Sequence, residues 1–155
     1  MEEKLAPELR PILEKINFVE RYRPITEEFR DFKNRYSGYD NEQVKTIFSR
    51  LGYDFHYHKR EKFFGVKEKL AQYEIFFNIT FKSGIIDFIW SVKKSEGFLT
   101  LGITWGGTSD LLLNAEERPS LYLPIFTSYE ELEQILSRAL PIYDDFKKEL
   151  KNAID

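Results

Sequence analysis

Asp54, His56 and His58 are the residues of this chain whose types and spacing come nearest to a chemical site, and the two histidines are the only ones present. On a β-strand, positions i, i+2 and i+4 share a face, so Asp54-Phe55-His56-Tyr57-His58 would align three ligand-type side chains. Imidazole and carboxylate together suit zinc, iron or manganese. The competing reading makes them the wet face of a strand whose other face carries Tyr53, Phe55 and Tyr57. A catalytic metal needs further ligands, and no flanking motif supplies them. Metal binding through Asp54, His56 and His58 is therefore the alternative reading, and the expected cofactor is none.

Other reactive constellations are weaker still. Cysteine is absent, which excludes disulfides, thiolate zinc sites and cysteine nucleophiles. No Gly-x-Ser-x-Gly nucleophile turn occurs. The adjacent carboxylates Glu116/Glu117, Glu130/Glu131 and Asp144/Asp145 lie in charged contexts that helix starts and solvated faces explain. Gly106-Gly107 lacks the following lysine of a phosphate-binding loop and reads as a turn.

The elements that must position any site are clearer. Across Ala71–Trp105, Tyr73, Ile75, Phe77, Ile79 and Phe81 alternate with Gln72, Glu74, Asn78, Thr80 and Lys82. Only Phe76 breaks the polar row. A two-residue turn at Ser83-Gly84 would set Phe81 against Ile86, Ile79 against Phe88, Phe77 against Trp90 and Ile75 against Val92. A slip of one residue would bring Asp87 or Ser91 into the apolar row, so the register is strongly specified. The loop Lys94-Ser95-Glu96-Gly97 predicts a further hairpin, with Val92 facing Leu99, Trp90 facing Leu101, Phe88 facing Ile103 and Ile86 facing Trp105. The expected core row is Phe77, Ile79, Phe81, Phe88, Trp90, Leu101 and Ile103. The opposite face would carry Gln72, Glu74, Phe76, Asn78, Thr80, Asp87, Ile89, Thr100 and Thr104, with Phe98 also outside the core row.

Helical periodicity flanks this block. Ile12, Leu13, Ile16 and Val19 stripe residues 5–22, with Pro11 in a first turn and Pro24 closing the segment. Thr26 then reads as the cap of a second helix with Phe29, Phe32 and Tyr36 on its stripe, ended by Gly38. Asp40-Asn41-Glu42-Gln43 opens a third helix with Val44, Ile47, Phe48 and Leu51, and Gly52 falls just past its end. Strand signals follow at Tyr53–Tyr57 and at Phe64 and Val66. Residues 110–118 resist assignment. Ser120–Phe126 reads as an edge strand because of Pro124. Ser128-Tyr129-Glu130-Glu131 opens a long final helix, which Pro141 should kink or split. This order predicts a single α+β domain over residues 1–155. It is a two-layer sandwich with N-terminal helices, an antiparallel meander of about five to six strands, and a long C-terminal helix packed on the sheet.

Composition narrows the classes of function. At 155 residues and 16% aromatic content the chain can build a full core without covalent staples. No segment has the apolar length of a spanning helix, and the start MEEKLAPELRP has no apolar run suited to a signal peptide. The formal net charge is −3, and its excess falls in residues 127–155, which hold four basic and seven acidic residues. The basic run His58-Lys59-Arg60-Glu61-Lys62, with Lys67 and Lys69, is interrupted by Glu61 and Glu68 and reads as a solvated hairpin loop. No nucleic acid and no membrane partner is expected.

The order of parts resembles the small α+β immunity proteins of bacterial polymorphic-toxin systems. The resemblance rests on the leading helices, Leu51-Gly52-Tyr53 opening a meander, the Gly106-Gly107 break, and Pro124-Ile125-Phe126-Thr127-Ser128-Tyr129-Glu130-Glu131-Leu132 introducing the closing helix. A secretion-chaperone-like fold has a similar outline. The resemblance implies a cytosolic protein that neutralises or escorts a partner by binding it, without catalysis. Two surfaces are expected to serve such binding. One is the apolar group Phe76, Ile89 and Phe98 on the outer sheet face. The other is the set of carboxylates Glu130, Glu133, Asp144, Asp145 and Glu149 on the final helix. A small-ligand pocket between the sheet and that helix is a further alternative.

Overall fold

Alternating apolar residues build the centre of the molecule. The computed structural model describes residues 5–113 and 123–153. Five strands form one antiparallel meander in sequence order: β1 (His56–His58), β2 (Phe63–Leu70), β3 (Tyr73–Lys82), β4 (Ile85–Lys94) and β5 (Gly97–Thr104). Helices α1 (Arg10–Lys15), α2 (Phe18–Glu28) and α3 (Asn41–Arg50) precede the sheet. Helices α4 (Trp105–Leu112) and α5 (Tyr129–Asn152) follow it. This is the expected α+β sandwich.

The hairpin of β3 and β4 has the expected register, with Phe81 against Ile86, Ile79 against Phe88, Phe77 against Trp90 and Ile75 against Val92. All eight side chains lie on the face that the helices cover. Phe77 stacks on Tyr143 of α5 at 4.2 Å between ring centres, and Trp90 meets Phe146 at 4.5 Å. Trp105 fills the middle, 4.6 Å from Phe88, 5.0 Å from Trp90 and 5.3 Å from Phe18 of α2.

The second hairpin departs from expectation. Lys94 pairs with Gly97 and Lys93 with Phe98, as its loop dictates. Bulges then shift the pairing, so that Val92 meets Thr100 and Trp90 meets Ile103. One extra residue falls at Leu99 and the other at Leu101–Gly102, where the φ of +61° at Gly102 is natural for glycine. The Gly102 N–H donates to Ser91 Oγ at 2.7 Å. Leu101, expected in the core, is consequently turned out and is 66% exposed. Thr100, expected on the wet face, is buried. Trp105 begins a helix instead of continuing the strand.

Several helix boundaries also move. The first break falls at Asn17, which takes a left-handed conformation (φ 57°) between α1 and α2. Pro24 lies inside α2, and Thr26 bonds the Arg23 carbonyl in its last turn instead of capping a new helix. Residues 30–39 form turns, and Phe32 is 57% exposed. The third helix starts where expected, with the Asp40 carboxylate accepting from the Glu42 N–H at 2.9 Å. Gly106-Gly107 is the first turn of α4, capped by the Thr104 hydroxyl accepting from the Gly107 N–H at 2.9 Å. Pro141 does not split α5, which runs unbroken through 24 residues because Ala139, Leu140, Ile142 and Tyr143 on both sides of it are buried. Of the segment expected as an edge strand, residues 123–126 make one bridge, Ile85 with Ile125. The rest of it, the Glu116/Glu117 pair and most of the unassigned stretch from Asp110 to Arg118 lie outside the described residues.

Candidate functional site

The histidine strand is the least developed of the candidate places. His56 and His58 point to the same outer side of β1, with ring centres 4.8 Å apart, and His58 stacks on Phe63 of β2 at 4.4 Å. Asp54 precedes the strand and is exposed. Among the described residues, no group of three or more His, Asp or Glu side chains is arranged to hold a metal ion.

A cleft of about 490 Å³ opens between β2, α5 and the connection from α3 to β1. Sequence reasoning missed its central residue. Along β2, Phe64, Val66, Glu68 and Leu70 alternate onto the core side, and Glu68 pairs with Ile75 there. A carboxylate on a core row needs partners. Tyr143 Oη of α5 donates to Glu68 Oε2 at 2.5 Å, and Lys147 Nζ donates to the same oxygen at 2.8 Å. Beside them Tyr53 donates its hydroxyl to Asp144, and Lys147 stands 3.7 Å from the other oxygen of Asp144.

Electrostatics defines what this network can do. Burial pushes the Glu68 carboxyl up, but the bonds from Lys147 and Tyr143 and the ammonium charge outweigh it and hold it below its ordinary value. Burial, then the bond to Glu68, raises the Tyr143 phenol. Burial, then the bond to Asp144, raises the Tyr53 phenol. Proton transfer near neutral pH works best with groups tuned toward neutrality. Here the carboxylate moves away from neutrality in one direction and the phenols in the other. The groups satisfy one another and tie α5 to the sheet.

The carboxylates expected on the final helix are largely engaged in the same manner. Glu133 binds Arg50 of α3 through Nε and Nη2, with Nε 3.1 Å from Oε1. Asp145 pairs with Arg21 of α2 at 2.8 Å, and Glu149 with Lys15 of α1 at 2.8 Å. Asp144 is held by Tyr53 and Lys147. These four join α5 to the helices, cleft and loop beside it. Glu130 is exposed at the start of α5.

The outer sheet face differs. Phe76, Asn78 and Thr80 of β3 stand beside Ser91, Ile89 and Asp87 of β4. Phe76 and Phe98 bring their ring centres to 6.3 Å. Phe98 is 46% exposed. Thr100 is buried opposite Val92 of the core row, so its neighbour Leu101 turns to the same outer side as Phe98. Among the described residues, no hydrogen bond or ring contact joins a helix to Phe76, Ile89 or Phe98. Lysines frame the apolar group: Lys67 Nζ lies 5.5 Å from the centre of the Phe76 ring, and Lys93 Nζ lies 5.6 Å from that of Phe98. Asp87, on the same face, is raised by burial against a smaller opposing bond from the Phe88 backbone, and its Oδ1 has no partner among the described residues.

The fold and these surfaces define an α+β domain with helices packed on one face of its sheet. No family model matches the chain, and comparison with curated proteins and with solved structures gave no match. Among the described residues, no helix is long and apolar enough to cross a membrane.

Proposed function

We propose that the chain is a non-enzymatic protein-binding domain that engages its partner through the outer sheet face around Phe76, Ile89, Phe98 and Leu101. The observation that carries this reading is the two-thirds exposure of Leu101 beside the half-exposed Phe98, on a face that no helix among the described residues covers. Clustered exposed apolar residues on a folded domain mark interaction surfaces. The helix carboxylates lie on the opposite side of the sandwich, where most serve ion pairs within the fold, so they rank as a secondary surface. The resemblance in order of parts makes an immunity-type role in the cytosol, neutralising a toxin by direct contact, the specific form of the proposal. The cleft at Glu68 is read as a structural tie, because its polar groups satisfy one another.

The test is affinity capture from the native cell with the wild-type protein and with Phe98→Glu and Leu101→Glu variants. Both side chains are exposed, so melting curves should match wild type. A partner retained by the wild type and by Glu130→Lys, but lost from the two face variants, is the expected result. Identical captured sets for wild type and face variants would sink the proposal.

A further inference from the structure

The outer sheet face has a charge pattern that identifies the chemistry of its partner. Lys67 and Lys69 of β2, Lys82 of β3 and Lys93 of β4 alternate onto this face. Among the described strand residues, the acidic ones on this face are Glu74 and Asp87. Glu74 is already 3.6 Å from Lys67. Asp87 is half-buried, and burial holds its carboxyl toward the neutral form. The face is thus cationic, in a chain whose formal net charge is −3. Its centre is apolar, with Phe76, Ile89, Phe98 and Leu101, and its ammonium groups sit around that centre.

We infer that this face takes an acidic protein surface, one whose carboxylates surround exposed apolar side chains. The inference rests on the proposed role of the face as a contact surface. Two other occupants fit less well. A second copy of the chain would bring lysine against lysine, since a two-fold contact sets the same patch against itself. A single-stranded nucleic acid needs aromatic ring faces free for base stacking. Here Lys67 and Lys93 stand over the rings of Phe76 and Phe98, and Ile89 and Leu101 offer no stacking plane. A protein surface can use all of these features. Its carboxylates reach the ammonium groups, and its apolar side chains cover the rings, Ile89 and Leu101.

Panning a random displayed peptide library on the wild-type protein tests this, with counter-selection on the Phe98→Glu variant. Oligothymidylate is titrated in parallel as the nucleic-acid probe. Enriched peptides should combine Asp or Glu with apolar residues. Their affinity should fall roughly tenfold on Lys93→Glu or Lys67→Glu, and by a similar factor when salt is raised well above physiological strength. Neutral or basic peptides that still depend on Phe98 would overturn the acidic partner and leave the contact surface standing. Enrichment of no peptide that depends on Phe98 or Leu101 would overturn both. Oligothymidylate binding that is stronger than peptide binding and lost on Phe98→Ala would replace the protein partner by a nucleic acid.

Discussion

At the scale of single residues, the strongest electrostatic feature is a carboxylate placed where a leucine would ordinarily sit. Glu68 holds α5 to β2 through Tyr143 and Lys147. Removing one donor with Tyr143→Phe should lower stability by about 1 kcal/mol in urea unfolding. The pH dependence has a definite sign. Glu68 ionises below its ordinary value in the folded chain, so its contribution is complete above the ordinary carboxylate range and is lost as pH falls through the lowered value. Glu68→Gln should therefore narrow its stability gap to wild type on acidification, and a gap independent of pH would contradict the assignment. Asp87 behaves oppositely. Its carboxyl is raised in the folded chain, so ionisation costs the fold stability at neutral pH and nothing below the ordinary carboxylate range. Asp87→Asn should raise the melting temperature at neutral pH and leave it unchanged in strong acid.

At the scale of elements, the legible parts were those where two independent constraints coincided. The hairpin of β3 and β4 was readable because Ser83-Gly84 and the alternation of Phe77, Ile79, Phe88 and Trp90 agreed on one register. The hairpin of β4 and β5 was not, because alternation in Phe98–Ile103 permits either a plain ladder or one bulged at Leu99 and again at Gly102, and only packing of Trp105 against Phe88 and Phe18 decides. Pro24 misled for a related reason. Proline breaks an isolated helix, yet α2 is held across it by burial of Tyr22 and Ile25. Glu68 was visible in principle, since β2 alternates, but in sequence its charge reads as an interruption of the neighbouring basic run. The two turn glycines separate strain from collision. Gly102 has φ +61°, and a Cβ added there would meet nothing within 4 Å, so Gly102→Ala should cost about 1 kcal/mol from backbone strain alone. At Gly84 (φ +83°) an added Cβ would lie 2.8 Å from the Tyr36 backbone nitrogen. That turn also accepts the Phe126 N–H at 3.0 Å. Gly84→Ala should cost more, about 2 kcal/mol or above, read by the same urea titrations. Equal costs at the two positions would contradict this account.

At the scale of the whole molecule, the sandwich separates two surfaces that were indistinguishable as candidates in the chain. One side presents α5, whose Glu133, Asp145 and Glu149 reach back to Arg50, Arg21 and Lys15. The other presents the lysine-framed apolar centre of the sheet. A flat partner can contact only one of them at a time. The separation follows from layer order, which alternation fixes, whereas the internal use of the α5 carboxylates depends on where α1, α2 and α3 lie in space. Hydrogen exchange of the protein alone and bound to its captured partner tests the central claim most directly. Slowed exchange in β3, β4 and β5 around Phe76, Ile89, Phe98 and Leu101, with α5 unchanged, is the result this account predicts. Protection confined to α5 near Glu130, Asp144 and Asp145, with the outer sheet face unaffected, would contradict it.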